Sequence, residues 1–146
     1  MADLTPEQIA LGLRAARAGW MWARGDVACN VWHATGERPY ATRPAIVVTP
    51  YRDQLRVVSW GDDAHPAFWA LRDDALDGEV IPDVTHRGFV SAALAQVRER
   101  TDRWWVCRAL WDGARWRVED WFCDPIHHGD YATEAEAVVA ALEATR

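Results

Sequence analysis

Tryptophan and arginine crowd together between residues 104 and 122, and this stretch holds the chain's clearest candidate chemistry. Two β-prone runs, Trp104 to Trp111 and Arg115 to Phe122, flank Asp112-Gly113. Asp-Gly between such runs is a strong hairpin signal. A two-residue turn there sets Arg108 opposite Arg117, Ala109 opposite Trp116 and Trp104 opposite Trp121. One side then carries Trp105, Cys107, Ala109, Trp111, Trp116 and Val118, which reads as a core face. The other side carries Val106, Leu110 and Glu119 together with Trp104, Arg108, Arg115, Arg117 and Trp121.

Those last five are the candidate ligand- or partner-binding residues. Guanidinium groups beside indole planes suit a flat anion such as a nucleotide, or an acidic patch on a partner protein. The competing reading is a solvated sheet face whose arginines are neutralised by Glu119 and other carboxylates. Replacing Arg108 and Arg117 by alanine separates the two. Loss of binding at constant melting temperature marks recognition; loss of folding stability marks a structural pair.

Three other clusters invite chemistry. Cys29 and His33 have a Cys-x-x-x-His spacing, but on a strand they lie about 13 Å apart, too far to share one ion. Cys123, His127 and His128 share a loop that Pro125 can fold back, with Asp124 as an oxygen donor, and they are weak zinc candidates. Asp62, Asp63 and His65 place two carboxylates near an imidazole, as general acid–base catalysis or a hard metal ion requires. A turn after a strand uses the same residue types for conformational reasons. The serines, Ser59 and Ser91, lack the glycine setting of a nucleophile elbow. Cys107 is expected to face inward and to be inert. No catalytic residue, resident metal or cofactor is therefore expected.

The elements that must position these groups read as follows. Thr5 and Gln8 form a capping box that opens a first helix, with Pro6 in its first turn, Ile9, Leu13, Ala16 and Trp20 recurring at helical spacing, and Gly19 as a natural stop. Residues 27 to 34 alternate as a strand. Ala45 to Thr49 and Leu55 to Trp60 predict a hairpin, and residues 67 to 72 fit either a strand or a short helix. Asp73 to Glu79 is acidic and expected to be exposed. A second helix is predicted over about Thr85 to Arg100, with Phe89, Ala93 and Val97 on one stripe. A third starts at Thr133, with Glu136 completing its capping box, and buries Ala135, Val138, Val139 and Leu142. No alternating βαβ pattern occurs. The expected fold is α+β: an antiparallel sheet of about five strands with about three helices packed on one face.

Composition sets outer limits. A chain of 146 residues fits a single domain spanning 1–146, and 50% hydrophobic with 26% charged residues is globular. The net charge of −6 argues against non-specific nucleic-acid binding. All 16 basic residues are arginine, which removes Schiff-base and phosphate-loop lysine chemistry. Ten tryptophans suit either a bulky core or a stacking surface. The three cysteines cannot all pair within the chain, and without an export signal free thiols are expected. No apolar run approaches membrane-spanning length. A cytoplasmic location without membrane association follows as the expectation, and a homo-oligomer stays open.

The segments Ala18-Gly-Trp-Met-Trp-Ala-Arg-Gly, Pro82-Asp with the helix Ala92-Ala-Leu-Ala-Gln-Val-Arg-Glu, and the tail Thr133-Glu-Ala-Glu-Ala-Val-Val-Ala-Ala-Leu-Glu-Ala resemble a group of small phage and prophage accessory proteins. Val84-Thr-His-Arg-Gly-Phe departs from the Asp- and Pro-rich helix start of that group. The resemblance implies a genomic setting and no catalytic residues. The function expected on these grounds is a non-enzymatic accessory protein that binds a host protein or a small anionic ligand through the Trp/Arg face, with inhibition of host defence as one form of that role. The alternatives are a small metal-assisted enzyme using Asp62, Asp63 and His65 or the Cys123–His128 loop, and a structural or oligomeric virion-associated protein.

Overall fold

A computed structural model describes residues 4–32, 40–41, 45–51, 54–60, 66–71, 78–110, 113–127 and 129–146. Among these, the elements run α1 (Pro6–Arg17), β1 (Val27–Trp32), β2 (Tyr40–Ala41), β3 (Ala45–Tyr51), β4 (Gln54–Trp60), β5 (Pro66–Leu71), β6 (Gly78–Pro82), α2 (Phe89–Thr101), β7 (Trp105–Ala109), β8 (Trp116–Asp120) and α3 (Glu134–Ala144). The α+β class is as expected. The single five-stranded sheet is not: the strands divide into a six-stranded antiparallel sheet, β1 to β6, and a separate ribbon, β7–β8.

The outer edge of β8 is already taken. Beyond β8 the chain returns alongside it, with Trp116 bridging Tyr131 and Glu119 bridging Pro125. Trp116 N donates to Tyr131 O at 2.6 Å, and Ile126 N donates to Val118 O at 3.0 Å. The outer edge of β8 therefore has its backbone partners without joining the larger sheet.

In the six-stranded sheet, β1 carries β6 along one edge; β2 and β3 share the other, and β4 and β5 continue beyond β3. The segment 66–71, open between strand and helix in the sequence, is a strand.

Helix starts follow local chemistry. Thr5 Oγ1 accepts from Gln8 N at 3.2 Å, and Gln8 Oε1 accepts from Thr5 N at 2.8 Å, closing the capping box. Thr133 caps α3 through Glu136 N at 3.1 Å, while the Glu136 carboxylate reaches one residue further back, to Ala132 N. Helix α2 begins four residues later than Thr85. The Thr85 hydroxyl and N–H are both spent on Asp83 Oδ1, at 2.6 and 2.9 Å, so Gly88 becomes the N-cap with no side-chain bond.

Two apolar clusters hold these elements. The larger joins Ala15, Trp20, Phe89, Ala93 and Val97 to Trp105 and Val118 of the ribbon and to Val138, Val139 and Leu142 of α3. Every residue of α3 from Ala137 to Leu142 is buried, as befits a helix enclosed on several sides. The smaller cluster is Ile9, Leu13, Cys29 and Ile81, where α1 lies on β1 and β6. Gly12 permits that close approach, since a Cβ there would sit 2.6 Å from Ile81 Cδ1 and 3.0 Å from Pro82 O.

Burial in the smaller cluster pushes the Cys29 thiol from 9.0 up to about 12, with the Asp83 charge adding to the effect. The folded state therefore keeps a proton that the unfolded chain gives up near pH 9. This contribution to stability is complete below that pH and is lost as pH rises toward 12. Cys29→Ala is expected to flatten the alkaline loss of stability, at the cost of a small cavity. Urea unfolding of both proteins at several pH values checks this, and parallel alkaline losses would refute the assignment.

Candidate functional site

The ribbon register is the one expected from Asp112-Gly113. Arg108 pairs with Arg117 and Ala109 with Trp116. Gly113 adopts a φ of +69°, Leu110 N donates to Arg115 O at 2.8 Å, and Gly113 N donates to Leu110 O at 2.7 Å. Trp105 and Val118 are buried and Cys107 and Trp116 half-buried on the inner face, while Ala109 is exposed. Burial pushes the Cys107 thiol to about 12, assisted by Glu134. Residues 111 and 112 lie outside the described segments.

On the outer face, two cross-strand arginines would repel unless each had a carboxylate. Arg108 Nε lies 2.9 Å from Glu119 Oε1, on the strand diagonal. Arg117 donates from Nε and Nη2 to Asp130 Oδ1 at 3.0 and 2.8 Å, and Arg115 Nη1 reaches Asp130 Oδ2 at 3.1 Å. The carboxylates lie deeper than the guanidinium groups they hold: Glu119 is buried and Arg108 exposed. Removing Arg108 would strand the Glu119 carboxylate, so the paired arginine-to-alanine variant loses stability here as well as charge.

The five candidate residues thus share the ribbon but form two groups. Arg115 and Arg117 are gathered by Asp130 near the loop end. Trp104 and Trp121 sit at the open end, one step beyond the Trp105–Asp120 pair, with Arg108 between the groups. Trp121 is 82% exposed and Trp104 62%. Phe122, beside Trp121, is 80% exposed and was missed by the sequence reading, although its adjacency to Trp121 was a visible signal. Arg98 lies 3.7 Å over the Trp104 ring and donates from Nε to Trp105 O at 2.8 Å.

Asp120 builds the turn that presents these aromatics. Its Oδ1 accepts from Phe122 N at 2.9 Å and Asp124 N at 3.0 Å, and its other oxygen pairs with Arg103. Cys123 then takes a φ of +64°.

Among the described residues, no three His, Cys, Asp or Glu side chains are gathered as a metal site. Cys123 is exposed, with its Sγ 3.9 Å from Arg108 Nη1. His127 instead faces the core side of its loop, with Nε2 3.3 Å from Ala137 O and its ring edge-on to Tyr131 at 4.9 Å. His128, Asp62, Asp63, His65 and His33 lie outside the described residues, as does most of the acidic stretch from Asp73 to Glu79. Among the described residues, no helix is long and apolar enough to cross a membrane.

No protein-family model, curated protein or solved structure matches the chain.

Proposed function

We propose that this chain is a non-enzymatic binding module that docks onto a partner protein through the open end of the β7–β8 ribbon. The observation that carries the reading is the joint exposure of Trp104, Trp121 and Phe122 at that end. Large aromatic side chains are costly to leave in water and are the commonest anchors of protein interfaces. Arg103 and Arg108 are exposed beside them, above buried carboxylates. A partner therefore meets indole, phenyl and guanidinium first. An apolar pocket rimmed by carboxylates complements that surface.

A free nucleotide is the weaker candidate ligand. Arg108, Arg115 and Arg117 are already held by Glu119 and Asp130, so an anion would have to displace a carboxylate. Under the accessory-protein setting implied by the sequence resemblance, the partner is a host protein.

The test is affinity capture followed by titration with the purified partner. Trp121→Ala with Phe122→Ala should weaken binding by about 2 kcal/mol or more, roughly thirtyfold, with unchanged thermal unfolding. Arg24→Ala, in the connection between α1 and β1, should bind as the parent does. Equal affinity of the aromatic variant and the parent would refute the reading. So would a concentration-dependent dimer that the double variant dissolves, since the aromatics would then serve self-association.

A further inference from the structure

The helices of this protein gather on one part of the larger sheet. Helix α1 lies against β6 and β2, α2 against β7, and α3 against β7 and β8. Among the described residues, neither a helix nor the β7–β8 ribbon packs on β3, β4 or β5. The links of the larger sheet that lie outside the described residues run from two to seven residues, the longest being 33–39. A crossover that carries a helix needs about ten or more. No segment between β1 and β6 is therefore long enough to lay a helix over these three strands.

The register sorts β3, β4 and β5 into two faces. Val27 pairs with Ile46, Ile46 with Val58 and Val58 with Phe68, so this row shares a face with Cys29, two residues further along β1. Cys29 is buried with Ile9 and Leu13 of α1, which makes that face the α1 side. The opposite face carries three other rows. Ala45, Ser59 and Ala67 form the first, Val47, Val57 and Trp69 the second, and Leu55 with Leu71 the third. None of these residues is charged, in a chain of net charge −6. An antiparallel sheet face left to water ordinarily carries polar residues. Here Ser59 is the single polar type among them.

We propose that this face, opposite α1, joins two copies of the chain face to face across a two-fold axis. A two-fold interface sets a surface against itself and must be self-complementary. Charge meets that demand: a net charge of −6 on each copy opposes close approach, and an uncharged face keeps that repulsion out of the contact. Residue size meets it as well. An axis running across the strands, midway between Val57 and Ser59, sets the Ala45–Ser59–Ala67 row of one copy opposite the Val47–Val57–Trp69 row of the other. Small residues then stand opposite large ones, with Ala67 opposite Trp69, as stacked sheets about 10 Å apart require. Area sets the strength. Three strands of about six residues give a footprint of about 14 by 20 Å, roughly 300 Å² on each copy. That is the size of a functional apolar patch but well short of the roughly 800 Å² a side of a standard stable complex. The dimer is therefore reversible, with a Kd on the order of 10 µM. It uses other strands than the aromatic end of the ribbon and stands or falls independently of that surface.

The experiment is sedimentation velocity of the full chain from about 1 to about 300 µM. The expected result is a rise in mass from one copy to two and no further. Val57→Glu places a charge at the centre of the face and should weaken the dimer at least about a hundredfold, with the far-ultraviolet circular dichroism of the parent. If that variant does not fold, Ser59→Glu decides, since the position is already polar and adjoins the axis. Trp121→Ala with Phe122→Ala should dimerise as the parent does, which separates this association from one through the ribbon. A parent that stays monomeric at the highest concentration, as cover by a different protein would leave it, would overturn the proposal. So would a folded Ser59→Glu variant that dimerises as the parent does, an assembly that grows past two copies, or a dimer that the ribbon variant dissolves.

Discussion

Trp105→Ala is expected to lower the free energy of unfolding by about 3–5 kcal/mol, and Trp104→Ala by less than about 1 kcal/mol. The two residues are sequence neighbours of identical type, so the difference reads only which face each occupies. Trp105 is 5% exposed and belongs to the larger cluster with Val118 and Leu142. Its Nε1 donates to Thr101 Oγ1 at 2.8 Å, and the Thr101 hydroxyl donates to Val97 O at 2.8 Å. Truncation leaves a cavity beneath α2 and α3 and removes a partner of Thr101. Trp104 is largely exposed, with Arg98 3.7 Å over its ring. Against a typical total stability of about 5–15 kcal/mol, the first loss is a large fraction and the second a small one. Urea denaturation of both variants checks this. Losses within about 0.5 kcal/mol of each other would mean that the ribbon faces are misassigned.

Asp120→Ala should cost about 2–4 kcal/mol, while Asp120→Asn keeps much of that. The buried carboxylate accepts the N–H groups of Phe122 and Asp124 and pairs with Arg103. Alanine leaves two backbone donors without their acceptor at a turn where Cys123 already holds a left-handed φ. Arg103 is exposed and can return to water, so the loss falls on the turn and not on a stranded cation. The consequence reaches the proposed docking surface, because Trp121 and Phe122 stand on this turn. Asp120→Ala is therefore expected to impair partner binding although Asp120 is itself buried. Asparagine retains an acceptor at Oδ1 and should restore most of the binding. Chemical denaturation together with partner titration separates the effects. Full binding in a destabilised alanine variant would show that the turn is held by other contacts.

What could be read in advance follows a physical division. The starts of α1 and α3 were legible because Thr5–Gln8 and Thr133–Glu136 are bonds between residues three apart, set by the local chain. Arg108 opposite Arg117 was legible because the Asp-Gly turn fixes the register. Helix α2 was misread at its start because Thr85 turned back to Asp83, so a residue suited to capping was used elsewhere.

The chain by itself settled the α+β class, the capped helices, the ribbon register and the core side of Trp105 and Val118. Tertiary structure decided how the strands divide into two sheets, which carboxylates hold the arginines, and what the buried acids face. Asp130 reaches Arg117 only because the chain folds back along β8. Short-range hydrogen bonds are fixed by neighbouring residue types. Partners distant in sequence depend on packing that buries apolar surface throughout the molecule, and no local pattern encodes which charges that packing will bring together.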